Sequence, residues 1–128
     1  MLEILKTKQP ARYAALFEKL GLTQSNPEVS EATDGDTVTG FAVYHFNFSG
    51  ENPLLSIDYL SEELPAAVTD GLVRSVLFLA MLRGVEQAHF CVENTAQISR
   101  LGFVTDAKKY VDSISDFMGK CKNCGTVE

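Results

Sequence analysis

The sequence predicts an α+β fold: a mixed, mostly antiparallel sheet flanked by helices. Three observations predict it. An amphipathic helical pattern, Tyr13, Leu16, Phe17 and Leu20, follows a strand-like opening. Three strand-like segments then run from Glu28 to Leu60, with turn residues at Asp34-Gly35 and Ser49–Pro53 between them. A long apolar helical pattern after Pro65 leads to a last strand, Gln87–Glu93.

Each element has a local reason. Leu2–Lys6 alternates apolar and polar residues, as a strand does. Pro10 suits the first turn of a helix, where its missing N–H costs nothing. Positions 13, 16, 17 and 20 fall at i, i+3, i+4 and i+7, and Gly21 is placed as the stop. Glu28–Thr33 is a weak strand, Asp34-Gly35 a hairpin signal, and Thr37–Phe48 a long strand rich in Val, Phe, Tyr and Thr. Ala42, Tyr44, Phe46 and Phe48 alternate with Phe41 and Val43, so this strand is expected to be covered on both faces. Leu54–Leu60 follows as a strand, with Tyr59 expected to share a face with Leu55 and Ile57. Thr69 or Asp70 is the expected cap of the next helix, which runs to about Arg83 with Gly84 after it. Positions 76–82 are apolar all round, which fits a helix covered on more than one side, a subunit contact included. Asn94–Arg100 reads as a short helix or turn. Val111, Ile114, Phe117 and Met118 mark a last helical face, stopped by Gly119.

The chain has 128 residues, which suits one domain and lets it bury roughly two-thirds of its unfolded surface without disulfides. We expect that domain over residues 1–119, with a cysteine-containing tail over 120–128. Eleven basic residues stand against seventeen acidic ones, with a net charge of −6. No basic cluster is available for a phosphate backbone, so nucleic acid is excluded as the main partner. The longest apolar run, Val76–Leu82, falls far short of the roughly 20 residues that span a bilayer, so no membrane is expected. The first residues lack the pattern of a secretory signal. With an odd count of three cysteines, the expected compartment is reducing and cytoplasmic.

Several landmarks, in this order, resemble the GNAT superfamily of acetyl-CoA-dependent N-acetyltransferases. They are the hairpin Asp34-Gly35 followed by Val38-x-Gly40-Phe41, the strand Leu54–Leu60, and the helix ending in Arg83-Gly84. The strand ending in Glu93-Asn94 and the signature Leu101-Gly102-Phe103 complete the set. The resemblance covers nearly the whole chain and implies a GNAT-like acyl-CoA N-acyltransferase fold. It implies that acetyl-CoA or another acyl-CoA is held where a strand gives way to a helix with free N–H groups. The residues it marks for the cofactor are Leu60, Thr69, Gly71, Leu72, Val73 and Asn94. The family's Gln/Arg-x-x-Gly-x-Gly/Ala pattern aligns with Val68-Thr69-Asp70-Gly71-Leu72-Val73, of which Gly71 matches. Ile98 stands where many members carry a tyrosine that protonates the departing thiolate. The departures at Val68, Val73 and Ile98 imply weak or lost activity.

Acyl transfer to an amine needs a proton acceptor. The candidates are Glu62 and Glu63, just past the strand flanking the substrate, and His45, which shares a face with Phe41 and Val43. A lone histidine there is also an ordinary core or groove residue. Cys121-Lys-Asn-Cys124-Gly125 resembles half of a zinc knuckle. His89 and Cys91, two apart on one strand, are the candidate co-ligands. The same pair also reads as a redox couple, or as two free thiols on a tail. Two readings of function stand side by side. One is an acetyl-CoA-dependent N-acetyltransferase acting on a small-molecule or peptide amine, with the homodimer seen in several members. The other is a non-catalytic ligand- or protein-binding module on the same scaffold, with Cys121 and Cys124 serving metal binding or assembly.

Overall fold

The computed structural model describes residues 2–48, 50–61, 64–92, 98, 102 and 109–119. Strands β1 (Leu2–Lys6), β2 (Glu28–Asp34), β3 (Thr37–Asn47), β4 (Leu54–Leu60), β5 (Gln87–Phe90) and β6 (Tyr110–Val111) form one sheet in sequential order. Neighbouring strands are antiparallel except β4 and β5, which run parallel. The expected mixed, mostly antiparallel sheet is the one found. A 3-10 turn over Pro10–Tyr13 opens α1 (Ala14–Lys19), α2 (Ala66–Leu82) crosses from β4 to β5, and α3 (Ile114–Gly119) follows β6.

Two apolar clusters, one on each face, hold the sheet. On one face α2 lays Leu72, Val73, Val76, Leu77 and Ala80 over Ala32, Ala42, Tyr44, Leu55, Ile57, Ala88 and Phe90. Val85, Val92, Ile98, Val111 and Ile114 complete this cluster. On the other face the 3-10 turn before α1 brings Tyr13, and the turn after α1 brings Leu22, onto Val29 and Val43, with Phe41 and Tyr59 packed alongside. Fully burying a leucine-sized side chain contributes about 1.5–3 kcal/mol, so the larger cluster dominates stability. Tyr44, buried within it, shares a hydrogen bond of 2.8 Å with the Ser30 hydroxyl.

The β2–β3 hairpin turns at Asp34-Gly35, where Gly35 takes φ +64°. That left-handed backbone is the reason a glycine stands there. Gly40 has a different role. A Cβ there would lie 2.8 Å from both Leu64 methyl groups, so the bare backbone of β3 is the seat for the leucine that leads into α2.

The structure corrects four expectations. α2 starts at Ala66, with Pro65 as its N-cap, a full turn before Thr69 and Asp70. Pro65 has no N–H to leave unpaired, and its fixed φ suits the approach to a helix. Asp70 instead faces Arg74 one turn on, with Nε–Oδ1 at 3.0 Å. β5 ends at Phe90 rather than reaching Glu93. Val111 belongs to the two-residue strand β6, so the last helix starts only at Ile114. Finally, Tyr59 lies on the face opposite Leu55 and Ile57, for the reason given next. Phe78 and Leu82 on α2 are 52% and 69% exposed.

Candidate functional site

The register of β4 on β3 carries one irregularity. Val43 pairs with Tyr59 and Tyr44 with Ile57, which leaves Asp58 as an extra residue on β4. Such a bulge puts two successive side chains on the same side and inverts the alternation beyond it. Leu55 and Ile57 therefore point toward α2, and Tyr59 joins the α1 face, where its ring stacks on Phe41 at 5.6 Å. Leu60 returns to the α2 face.

The bulge coincides with a parting of strands. The β4–β5 ladder runs from Leu54–Gln87 to Ile57–Phe90, and its last bond is Cys91 N–H to Ile57 O at 2.8 Å. β4 continues to Leu60 along β3, where Ser61 N–H bonds Phe41 O at 3.0 Å and Phe41 N–H bonds the Ser61 hydroxyl at 2.9 Å. Past Ile57 no described residue of β5 pairs with β4. Among the described residues none pairs with the β5-side edge of Asp58–Leu60, and just beyond it α2 begins. Val68 N–H and Thr69 N–H both bond Pro65 O. The amides of Ala66 and Ala67 precede the first amide that bonds within the helix, so they have no acceptor inside it and point out of the helix end.

A polar group of side chains sits at this parting, on the face away from α2. His45 Nδ1 lies 2.7 Å from Asp58 Oδ2, and the Asp58 side chain is only 9% exposed. Burial pushes the Asp58 carboxyl above its ordinary range, against the opposing pull of the His45 bond. One residue past β5, the Cys91 sulfur is 3.7 Å from His89 Nδ1. The Cys91 thiol is raised by burial first and by the Asp58 charge second, while a bond to Ser56 lowers it. Both effects that raise it hold the thiol protonated. His45, Ser56, Asp58 and His89 come from three adjacent strands, and Cys91 from the residue just past β5.

This architecture has known counterparts. No protein-family model matches the chain, and no curated protein matches it. Solved structures do. An integron cassette protein from Vibrio cholerae is 14% identical, over 94% of this chain and 98% of that one, with a TM-score of 0.59. A protein described as a GNAT-family acetyltransferase, from Desulfovibrio desulfuricans, is 12% identical over 79% and 81%, with a TM-score of 0.57. The ribosomal-protein-alanine N-acetyltransferase of Brucella melitensis is 11% identical over 78% and 86%, also at 0.57. The chain has the GNAT fold. At these identities the likeness is one of fold, and function has to be argued from the site.

On the GNAT fold of this chain, the residues marked for a cofactor divide sharply. Thr69, Leu72 and Val73 are 4%, 0% and 0% exposed, so their side chains serve the core. Their amides lie inside the helical ladder of α2. Gly71 lies in the second turn, where a Cβ would stand 2.8 Å from Ile4 Cδ1; the glycine makes room for β1. Val68 packs against the core and Val73 is inside it. Leu60 is the last residue of β4. Ile98 is 1% exposed and is a core residue. Glu62, Glu63, Asn94, Cys121 and Cys124 lie outside the described residues, as do Leu101 and Phe103.

The zinc expectation finds no support: among the described residues no group of three or more His, Cys, Asp or Glu side chains is placed to hold a metal ion. Among the described residues His89 and Cys91 meet each other without a third donor, whereas a structural zinc site needs four. Asp58 is the residue that sequence reasoning missed. Its signal was a lone carboxylate in LLSIDYL, an otherwise apolar strand pairing with the strand that carries a histidine.

Proposed function

We propose that the chain is an acyl-CoA-dependent N-acyltransferase that takes its acyl donor into the opening between β4 and β5. The observation that carries this reading is the parting at Ile57–Phe90, past which no described residue pairs with the edge of Asp58–Leu60, next to the first turn of α2. An extended chain bearing amides, such as the pantetheine arm of coenzyme A, can pair with a bare strand edge as another strand would. The free amides of Ala66 and Ala67 suit its pyrophosphate. Val73, which in the linear sequence stands where phosphate would approach, is turned into the core. In this reading residues 1–119 are the catalytic domain of a cytoplasmic protein, and the acceptor is an amine that attacks the thioester directly. The exposed Phe78 and Leu82 of α2 are the surface a homodimer would cover.

One observation favours the second reading, a binding module without catalysis. The first turn of α2 carries no charged side chain, and Arg74, a turn beyond Asp70, is bonded to it. No cation is therefore committed to a phosphate there. A thermal melt separates the two readings. Acetyl-CoA at about 100 times its dissociation constant adds about 2.7 kcal/mol of stability, a rise of several degrees in melting temperature for a domain of this length. A melt unmoved by acetyl-CoA and by longer acyl-CoAs leaves the binding module.

A further inference from the structure

A cleft of about 360 Å³ opens between β1, β2 and the 3-10 turn Pro10–Tyr13. Strand pairing sets two rows across its floor. Leu5, Glu31 and Phe41 stand opposite one another, and Glu3, Thr33 and Val38 form the next row toward the Asp34-Gly35 hairpin. Glu31 is the unexpected member, an acidic residue only 8% exposed between two apolar ones. Burying a carboxylate is costly unless it is paired, and this one is paired on one side only. Its Oε2 accepts the Tyr13 hydroxyl. That phenol is a neutral donor, its pKa pushed up to about 12 by burial first and by the Glu31 bond and charge after it. Arg12 Nη1 stands 3.8 Å from the same oxygen, beyond hydrogen-bond distance. The other oxygen, Oε1, has no hydrogen-bond partner among the described residues and opens on the cleft.

The charges around Glu31 are sorted. Glu3 and Asp36 lie at the hairpin end of the cleft, Lys8 and Arg12 at the end of the 3-10 turn. Lys6, also on the lining, is tied to Glu28. Arg12 is half exposed, and its Nη2 donates to Gln9 Oε1 at 2.6 Å, which keeps the guanidinium beside Glu31. A buried carboxylate and a half-exposed guanidinium thus stand side by side on the wall of one cleft. We propose that this cleft binds a free α-amino acid with an aliphatic side chain, its ammonium on Glu31 and its carboxylate on Arg12 and Lys8. The class follows from the spacing. An anion and a cation 3.8 Å apart match a ligand that carries its two opposite charges on a single carbon. A ligand with an amine and a carboxylate at opposite ends of a chain does not. The guanidinium fork suits a carboxylate, and exposed Leu5 with half-buried Val38 offers apolar surface to the side chain. The volume is at the small end of ligand sites, as a single amino acid requires. The proposal does not rest on the acyltransferase reading: this cleft lies on β1 and β2, and the parting of strands lies between β4 and β5.

The test uses the full chain without an acyl donor, titrated calorimetrically with leucine, isoamylamine and isocaproate. The amine is leucine without its carboxylate, and the acid is leucine without its amine. Leucine is expected to bind saturably, and each analogue about 10-fold more weakly or worse, because each forfeits one set of charge-assisted bonds. Glu31→Gln keeps the size of the side chain and an acceptor for Tyr13 but removes the charge, and should weaken leucine by about 10-fold or more. Arg12→Gln should do the same with an unchanged melt, since that side chain is half exposed, so a loss of binding there is not a loss of fold. In the amide NMR spectrum, saturation with leucine should shift Leu5, Arg12, Glu31 and Val38. No saturable binding of leucine overturns the proposal. An analogue that binds as tightly as leucine overturns the ligand class. Wild-type affinity in either variant, or shifts centred on the β4–β5 opening, overturns the location, and none of these results bears on the acyl-CoA melt that tests the acyltransferase reading.

Discussion

On the α2 face of the sheet, Ala32, Ala42, Tyr44, Leu55, Ile57, Ala88 and Phe90 are at most 1% exposed. On the opposite face the apolar cover ends at Val43 and Tyr59, and the rows beyond carry His45, Ser56, Asp58, His89 and Cys91. The same three strands thus supply residues for packing on one side and groups with chemistry on the other. A strand makes this possible because successive side chains point to opposite faces. The bulge at Asp58 sharpens the division, since it delivers both Asp58 and Tyr59 to the same side. The lesson is a division of labour: a rigid face over α2 can hold polar groups in place on the face that is less covered.

The largest effect expected from this comparison is on the packed face. Leu72→Ala removes a fully buried side chain from the centre of the α2 cluster and should cost about 2–5 kcal/mol in a denaturant melt. His45→Gln on the other face should change stability by less than about 1 kcal/mol. A His45→Gln loss as large as that of Leu72→Ala would mean that both faces are structural, and the comparison would break.

How much of this was legible in the sequence follows the same division. Periodicity of two or 3.6 residues is enough to place β1 to β4, the α1 face and most of α2, because burial imposes it directly. Asp34-Gly35 marks its hairpin because the turn itself demands those residues. The bulge was not legible. A single extra residue inverts every assignment downstream, and only the partner strand reveals it, so Tyr59 was expected on the wrong face and Asp58 was not singled out. The start of α2 was misplaced because Thr69 and Asp70 look like caps, while Pro65, a turn earlier, already sets the backbone. β6 is too short for any period to show. His45 was visible as a candidate, but its meeting with Asp58 depends on the register of two strands and hence on the fold.

A smaller effect is expected where the two layers are tied at their edge. The Glu28 carboxylate of β2 takes a two-bond contact from Arg83 at the end of α2, at 2.6 and 3.0 Å, and Lys6 of β1 at 3.0 Å. Burial pushes the Glu28 carboxyl up, but the Arg83 and Lys6 bonds outweigh it and hold the group below its ordinary range. Lys6 is 59% exposed, so solvent screens its share. Glu28→Gln should cost about 1 kcal/mol at neutral pH. A carboxyl depressed in the folded state contributes stability above its unfolded pKa and loses it as pH falls through the folded value. The gap between wild type and Glu28→Gln should therefore close in acid, and paired melts at neutral and acidic pH check it.

The smallest effect is expected at Asp58, and it runs in the opposite direction. Burial raises this carboxyl despite the His45 bond, so the ionised form is less favoured in the folded chain than in the unfolded one. The sign of the linkage is then reversed relative to Glu28. A raised carboxyl contributes its stability below the unfolded pKa, and that contribution is lost as pH rises through the folded value. Asp58→Asn removes the charge, keeps an acceptor for His45, and should be as stable as the wild type or more so at neutral pH, by up to about 1 kcal/mol. The difference should vanish in acid, where the wild-type carboxyl is protonated as well. A residue retained for packing loses stability when changed; one held at a cost for its chemistry does not. If Asp58→Asn melts well below the wild type at neutral pH, the polar row is a structural ion pair like that of Glu28, and the two faces of the sheet differ only in the kind of bond that holds them.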